Sequence, residues 1–111
     1  MRICMLLMRT PTSEEDKSRI FGVLRGSQGK EVSIYLLGDG VLCARKGQSP
    51  LLGGGVEDAI RSGAEVLVGS RDLRARGIPI SELMDGLEVA EDLEGSFIDD
   101  AMEHADRVIT W

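Results

Sequence analysis

The sequence is poor in the residues that build metal centres and redox frameworks, with one histidine, His104, and two cysteines, Cys4 and Cys43. The cysteines lie far apart and lack CxxC spacing, so neither a disulfide framework nor a structural zinc site is indicated, and one imidazole cannot make a His-rich metal site. No metal and no cofactor is expected. Positive charge is also short: 13 Lys and Arg face 19 Asp and Glu, a net charge of −6, which disfavours direct nucleic-acid binding. No apolar run approaches the roughly 20 residues that span a bilayer. The apolar stretch Ile3 to Met8 is too short for a secretory signal, holds Cys4 and is followed by Arg9. A cytoplasmic protein without membrane association is the expectation.

What is present suits a single globular domain over residues 1–111, with 42% hydrophobic and 29% charged residues. The apolar run Arg2 to Met8 reads as a strand. Thr10 to Ser13 then supply turn and helix-start chemistry, and Thr12 with Glu15 has capping-box spacing. Glu14, Glu15 and Asp16 suit the positive end of a helix dipole, and Ile20, Val23 and Leu24 supply the apolar face. Val32 to Leu37, between Gly29 and Gly38-Asp39-Gly40, reads as a second strand. After a glycine-rich loop from Gly38 to Gly55, Val56, Ala59 and Ile60 mark a short helix ending near Gly63. Glu65 to Gly69 is a third strand, followed by a helix of one to two turns that Ser70 caps and Gly77 ends. Leu87 to Ala90 is a fourth strand. Ser96 with Asp99 starts a helix with Phe97, Ala101, Met102 and Ala105 on one side, and Val108 to Trp111 is the last strand. This alternation predicts a three-layer α/β/α domain with a mostly parallel five-stranded sheet.

Ligands of such sheets bind beyond the carboxyl ends of the strands, which directs attention to Arg9–Ser13, Gly38–Gly55 and Gly69–Arg76. Cys43 lies near Arg45 and Lys46, whose charges favour a nucleophilic thiolate if they face the sulfur; alternatively it packs as a small hydrophobe among Val41, Leu42 and Ala44. Cys4, in mid-strand, reads as core. Asp39 between glycines is either a site carboxylate or a turn residue. Gly53-Gly54-Gly55 could present amides to an anion, but it lacks P-loop and dinucleotide spacing and reads better as a surface loop. Arg71, Arg74 and Arg76 could hold an acidic partner or form a solvated helix face with Asp72. His104 suits the negative end of a helix, and Trp111 anchors an interface or covers a sheet end. Three enzyme classes are disfavoured. The first strand ends Leu7-Met8-Arg9 without the acids of a phosphoacceptor domain, a cysteine-phosphatase loop would need Arg where Ser49 stands, and His104 is poorly placed for a Cys-His pair.

The order Leu36-Leu37-Gly38-Asp39-Gly40-Val41, then Val66 through Gly77, then Ala105-Asp106-Arg107-Val108-Ile109-Thr110-Trp111, resembles the DsrE/DsrF/DsrH sulfur-relay superfamily and within it the DsrH/TusB branch. The resemblance implies a cytoplasmic α/β subunit of a homo- or hetero-oligomer of related subunits. These pass persulfide sulfur between donor and acceptor proteins in tRNA thiolation or sulfur oxidation, a thiolate accepting the outer sulfur. DsrE/TusD-like subunits carry their cysteine around the third strand, where this chain has Gly69 and Ser70. DsrH-like members that have one place it in the first helix, where Ser18 to Leu24 has none. Cys43 is thus the remaining candidate carrier, and the chain reads as a persulfide carrier or an accessory subunit. The alternative is a noncatalytic module binding a small ligand or partner through Asp39, Gly40, Arg45, Ser70, Arg71 and Arg74. Oligomer contacts are expected near Tyr35, the Gly38–Gly47 loop and Trp111, since aromatics are enriched in interface cores.

Overall fold

A computed structural model describes residues 1–24 and 31–111. Gly29, expected to punctuate the approach to the second strand, lies outside the described residues. The elements alternate as β1 (Arg2–Leu7), α1 (Glu14–Phe21), β2 (Glu31–Leu36), α2 (Pro50–Arg61), β3 (Glu65–Gly69), α3 (Ser70–Ala75), β4 (Leu87–Ala90), α4 (Leu93–Glu103) and β5 (Arg107–Thr110). All five strands are parallel, in the order β4-β3-β2-β1-β5. The three-layer α/β fold read from the sequence is the observed one. No helix among the described residues is long and apolar enough to cross a membrane.

The strand order dictates the layers. Steps β1 to β2 to β3 to β4 all move the same way across the sheet, so right-handed crossovers place α1, α2 and α3 on one face. The return from β4 to β5 runs the other way and puts α4 alone on the opposite face. Side chains alternate accordingly. Met5, Leu7, Ile34, Leu36, Val66 and Val68 form the larger core with Ile20, Phe21, Val56 and Leu73. Cys4, Tyr35 and Leu67 point the other way and pack with Leu93, Phe97 and Ala101 of α4, Tyr35 and Phe97 meeting edge to face at 5.5 Å.

Several local expectations are corrected. Ser13, not Thr12, caps α1, its side chain accepting from the Asp16 amide; Thr12 instead donates its hydroxyl to the Asp16 carboxylate at 2.6 Å, which holds that carboxyl below its ordinary pKa. Val23 and Leu24 fall in a 3-10 turn, Gly22–Leu24, beyond α1. The stretch read as a glycine-rich loop is largely helical: Gly38–Ala44 forms a 3-10 segment and α2 begins at Pro50, a residue preorganised for a first helical turn. Gly53-Gly54-Gly55 therefore lies inside α2 and is neither a surface loop nor an anion loop. Its role is close packing, since a Cβ on Gly55 would stand 2.3 Å from the Phe21 ring and one on Gly54 would stand 2.9 Å from Lys17 Nζ. Gly69 occupies the cap position of α3, with Ser70 its first residue. Asp92 rather than Ser96 caps α4, through the Gly95 amide. Met102, expected on the packed side of α4, is 81% exposed. A short helical turn at Ile80–Glu82, which the sequence reading did not anticipate, lays the following residues beside Ala44 to Lys46, where Arg45 and Leu83 form an antiparallel bridge.

Candidate functional site

The β3 and β4 crossovers leave on opposite faces, so the carboxyl ends of these strands form the topological switch point where open α/β sheets bind ligands. The chain leaves β3 through Gly69 and Ser70, and Leu93 at the start of α4 lies so near that a Cβ on Gly69 would be 3.5 Å from its side chain. Ser70 is 5% exposed, and its Oγ is the one buried side-chain polar atom among the described residues without a hydrogen-bond partner. A buried hydroxyl left unmatched carries a desolvation cost, so among the described residues Ser70 is the buried site candidate whose side-chain bonding capacity is unused.

Beside it, the turn after β2 is fixed by steric necessity. Gly38 has φ of 58°, in the left-handed region where glycine alone is unstrained. Gly40 lies against the end of β1, where an added Cβ would stand 2.0 Å from the Leu7 carbonyl oxygen. Gly40 therefore has a packing role that no other residue could fill without displacing the Leu7 backbone. Asp39, exposed between these glycines, accepts two hydrogen bonds from Arg76, from Nε at 3.0 Å and Nη2 at 2.9 Å. Arg76 also donates to the Asp72 carbonyl at 3.2 Å and lies 3.6 Å from the Asp72 carboxylate. This cluster ties the β2 turn to α3. The sequence reading noted Arg76 only as part of an arginine group and missed its pairing with Asp39, because the two lie far apart in the chain without a shared periodicity.

The other expected site residues are dispersed. Arg74 makes an exposed ion pair with Glu91 at 3.7 Å, Arg45 pairs with Glu82 at 3.5 Å, and Arg71 is exposed. Cys43 is 0% exposed inside the larger core, and burial pushes its thiol up to about 11. The expected stabilisation by Arg45 does not arise, since that guanidinium is turned to Glu82 on the surface. Cys43 packs as a small hydrophobe. Cys4 is 0% exposed as well, and burial followed by the Asp100 charge pushes it up to about 12.

Tyr35 is corrected as an interface residue, because it is buried beneath α4 and its hydroxyl donates to Asp100 at 2.7 Å. Desolvation first, and Asp100 second, raise the Tyr35 pKa further. Trp111 is half-buried at the sheet end with the Arg9 guanidinium 4.9 Å above its ring, and its backbone continues the β1–β5 pairing through Met8 and Leu6. His104 ends α4 and, with Met1, Arg2, Glu31 and Asp106, lines an open depression of about 540 Å³. That depression lies at the amino end of the sheet, remote from the switch point. No group of acidic, histidine or cysteine side chains suited to a metal ion occurs among the described residues.

The same α/β architecture is found in two solved structures. The protein of unknown function MTH1491 from Methanobacterium thermoautotrophicum superposes with a TM-score of 0.82 at 18% identity, covering 99% of this chain and 98% of that one. The YchN protein of Escherichia coli superposes with a TM-score of 0.76 at 19% identity, covering 99% and 97%. In sequence, the chain is 37% identical over 71 residues to the uncharacterized protein MK0008 of Methanopyrus kandleri, a match to 57% of this chain that spans only 55% of that protein. No protein-family model matches the chain.

Proposed function

We propose that the chain is a DsrH/TusB-like accessory subunit of a cytoplasmic sulfur-relay assembly, serving tRNA thiolation or sulfur oxidation, and that it shapes the site of a thiol-bearing partner without carrying persulfide itself. The observation that carries this reading is the state of its two thiols: Cys4 and Cys43 are both fully buried, and both are shifted away from the thiolate. Sulfur transfer requires a thiolate within reach of the donor persulfide. The fold shared with the solved structures supports the kind of assembly, and the resemblance supports the accessory role, since the thiol-bearing subunits carry their cysteine around the third strand and its following loop, where this chain has Gly69 and Ser70. The test is to incubate the reduced protein with a persulfide donor, measure the masses of the Cys4 and Cys43 peptides, and then add a DsrE-like subunit with an accessible cysteine. The expected result is no sulfur adduct on this chain and a stable complex with that subunit. An adduct on Cys43 would restore the carrier role, and failure to form a complex would refute the accessory role.

A second reading is favoured by one observation, the unmatched Ser70 hydroxyl: a noncatalytic module that binds a small ligand at the switch point, with Asp39 and Arg71 nearby in the chain's folded surface. It differs in requiring Ser70→Ala to abolish ligand binding while leaving subunit association intact.

A further inference from the structure

The sequence contains two Asp-Gly dipeptides, Asp39-Gly40 and Asp85-Gly86, and the fold treats them in opposite ways. Aspartate before glycine is prone to succinimide closure, because glycine has no side chain to hinder attack of its own backbone nitrogen on the preceding carboxyl carbon. The attack needs an amide free of hydrogen bonds and a carboxyl free to turn back on the main chain.

Asp39-Gly40 meets neither condition. The Gly40 amide donates to the Leu37 carbonyl at 3.0 Å, and Gly40 is buried against the Leu7 carbonyl. The Asp39 carboxylate is held by two hydrogen bonds from Arg76. Ring closure there requires the 3-10 segment Gly38–Ala44 to open and Arg76 to release its partner.

Asp85-Gly86 meets both conditions. It lies between the helical turn Ile80–Glu82 and β4, and both residues are exposed. Among the described residues the Gly86 amide has no hydrogen-bond acceptor and the Asp85 carboxylate has no hydrogen-bond or ion-pair partner. Gly86 has φ of 91°, a conformation that only glycine adopts without strain, so the turn requires the residue that makes it reactive.

We propose that Asp85 is a site of spontaneous isoaspartate formation in the native chain, and that the fold protects Asp39 from the same reaction. The Gly86 nitrogen bonds to Cγ of Asp85 as the amide proton leaves and the Cγ–OH bond breaks, which releases water and closes a succinimide. Solvent water then adds to one of the two ring carbonyls. Opening at Cγ restores aspartate. Opening at the main-chain carbonyl leaves the peptide link running through Cγ and frees an α-carboxylate; nothing is oxidised or reduced. The product has an extra methylene in the main chain two residues before Leu87, whose pairing with Val66 starts the β3–β4 ladder, and so loosens that edge strand. Its α-carboxylate is the group that an isoaspartate carboxyl methyltransferase takes as substrate. The proposal involves no sulfur chemistry and is independent of the relay reading.

The test ages the whole chain at neutral pH and physiological temperature, native and in guanidinium chloride. Isoaspartate is then located by electron-transfer fragmentation of the peptides and counted by methyl transfer from labelled S-adenosylmethionine with an isoaspartate methyltransferase. In the native chain it is expected to form at position 85 at least about tenfold faster than at position 39, because the hydrogen bonds that protect Asp39 must open first. In denaturant the two rates should converge, since the dipeptides are identical. Asp85→Glu, whose longer side chain closes the ring far more slowly, should remove the native signal and leave circular dichroism unchanged. Hydrogen exchange in the Leu87–Ala90 peptide should quicken as isoaspartate accumulates. Native rates that do not differ overturn the proposal, whether both sites react or neither does. A difference that persists in denaturant assigns the selectivity to local sequence and overturns it too, as does a methyl-accepting signal that survives Asp85→Glu. Unchanged exchange in aged chain refutes the loosening of β4.

Discussion

Removing the Arg2 guanidinium should destabilise the fold far more than loss of an ordinary surface arginine. Asp100 is buried at the lower end of α4, and its carboxylate accepts from Arg2 Nε at 2.7 Å, Arg2 Nη2 at 3.0 Å and the Tyr35 hydroxyl at 2.7 Å. Arg2 Nη2 also donates to the buried Ser33 hydroxyl at 2.7 Å. The network joins β1, β2 and α4 at the face that has only one helix. Arg2→Met keeps much of the side-chain volume but leaves a buried carboxylate with only the Tyr35 hydroxyl and the weak Cys4 thiol donor, and breaking one side of a buried ion pair costs about 3–5 kcal/mol. That is a large share of the roughly 5–15 kcal/mol by which a domain is stable. Tyr35→Phe removes one hydrogen bond to a charged acceptor and should cost about 1.5–3 kcal/mol. Replacing the group together, as Arg2→Met, Tyr35→Phe and Asp100→Leu, should recover most of the Arg2→Met loss, because apolar substitutes carry no unpaired charge. Urea unfolding followed by circular dichroism measures each cost from the midpoint and slope. The pH dependence has a definite sign. Hydrogen bonds from Arg2, the largest influence, hold the Asp100 carboxyl below its ordinary value against the opposing effect of burial. Its contribution is therefore present above the unfolded-state pKa of about 3.9 and lost as pH falls through the lower folded-state value. The wild type should lose stability below about pH 4 more steeply than the triple variant. An Arg2→Met cost under about 1 kcal/mol, the range of exposed pairs, would refute the reasoning.

Gly40→Ala should destabilise by about 3 kcal/mol or more, since the new methyl meets the Leu7 carbonyl, which belongs to the backbone and cannot rotate away; a shift in the thermal midpoint of less than a few degrees would contradict this. Gly55→Ala should separate α1 from α2 through its clash with Phe21, and the paired change Phe21→Leu should rescue part of the loss in the same thermal scan. Arg76→Ala exposes a pair that is already largely solvated at Asp39 and should cost about 1 kcal/mol or less in urea unfolding. Cys4 and Cys43 should resist iodoacetamide at neutral pH in the folded chain and react in denaturant; rapid labelling of Cys43 in the native state, read by mass spectrometry, would contradict its burial.

Strands were the most legible part of the sequence because each buried strand is short, apolar and bounded by Gly or polar breaks. Glu65–Gly69 and Leu87–Ala90 have the bounds the pattern implied, and β1, β2 and β5 differ at their ends by a residue. The segment from Gly38 to Gly55 was illegible for a physical reason. Glycine carries a helix penalty of about 1 kcal/mol per residue, so three in a row read as a loop. Here the contact of α1 with α2 favours them, since Phe21 and Lys17 fill the space that side chains would occupy. Tertiary packing overrode local propensity. Asp39 was recognised as a turn residue or site carboxylate, but its bond to Arg76 depends on how α3 returns towards the β2 turn. Cys43 had a local sequence consistent with an activated thiol. Its actual state depends on which face of a 3-10 turn meets the core, and Val41, Cys43 and Ala44 are the residues turned inward.

The topology explains why the two faces of this sheet hold different kinds of residue. Three successive crossovers in one direction put three helices over one face, where wholly apolar strand positions such as Ile34, Leu36, Val66 and Val68 can be sealed. A single return crossover leaves α4 to cover the other face, and the strand positions there include Ser33, Cys4 and Tyr35 in place of a continuous aliphatic layer. The Arg2–Asp100 pair then supplies at the amino end what apolar packing supplies elsewhere, a fixed attachment of the lone helix. At the carboxyl end the attachment is apolar, through Leu93 near Gly69 and Phe97 against Tyr35. With α4 pinned at both ends over β1 to β3, it cannot shift sideways to cover β5. The exposure of Val108 on β5, which pairs with Cys4 and faces the α4 side, is the consequence of that pinning.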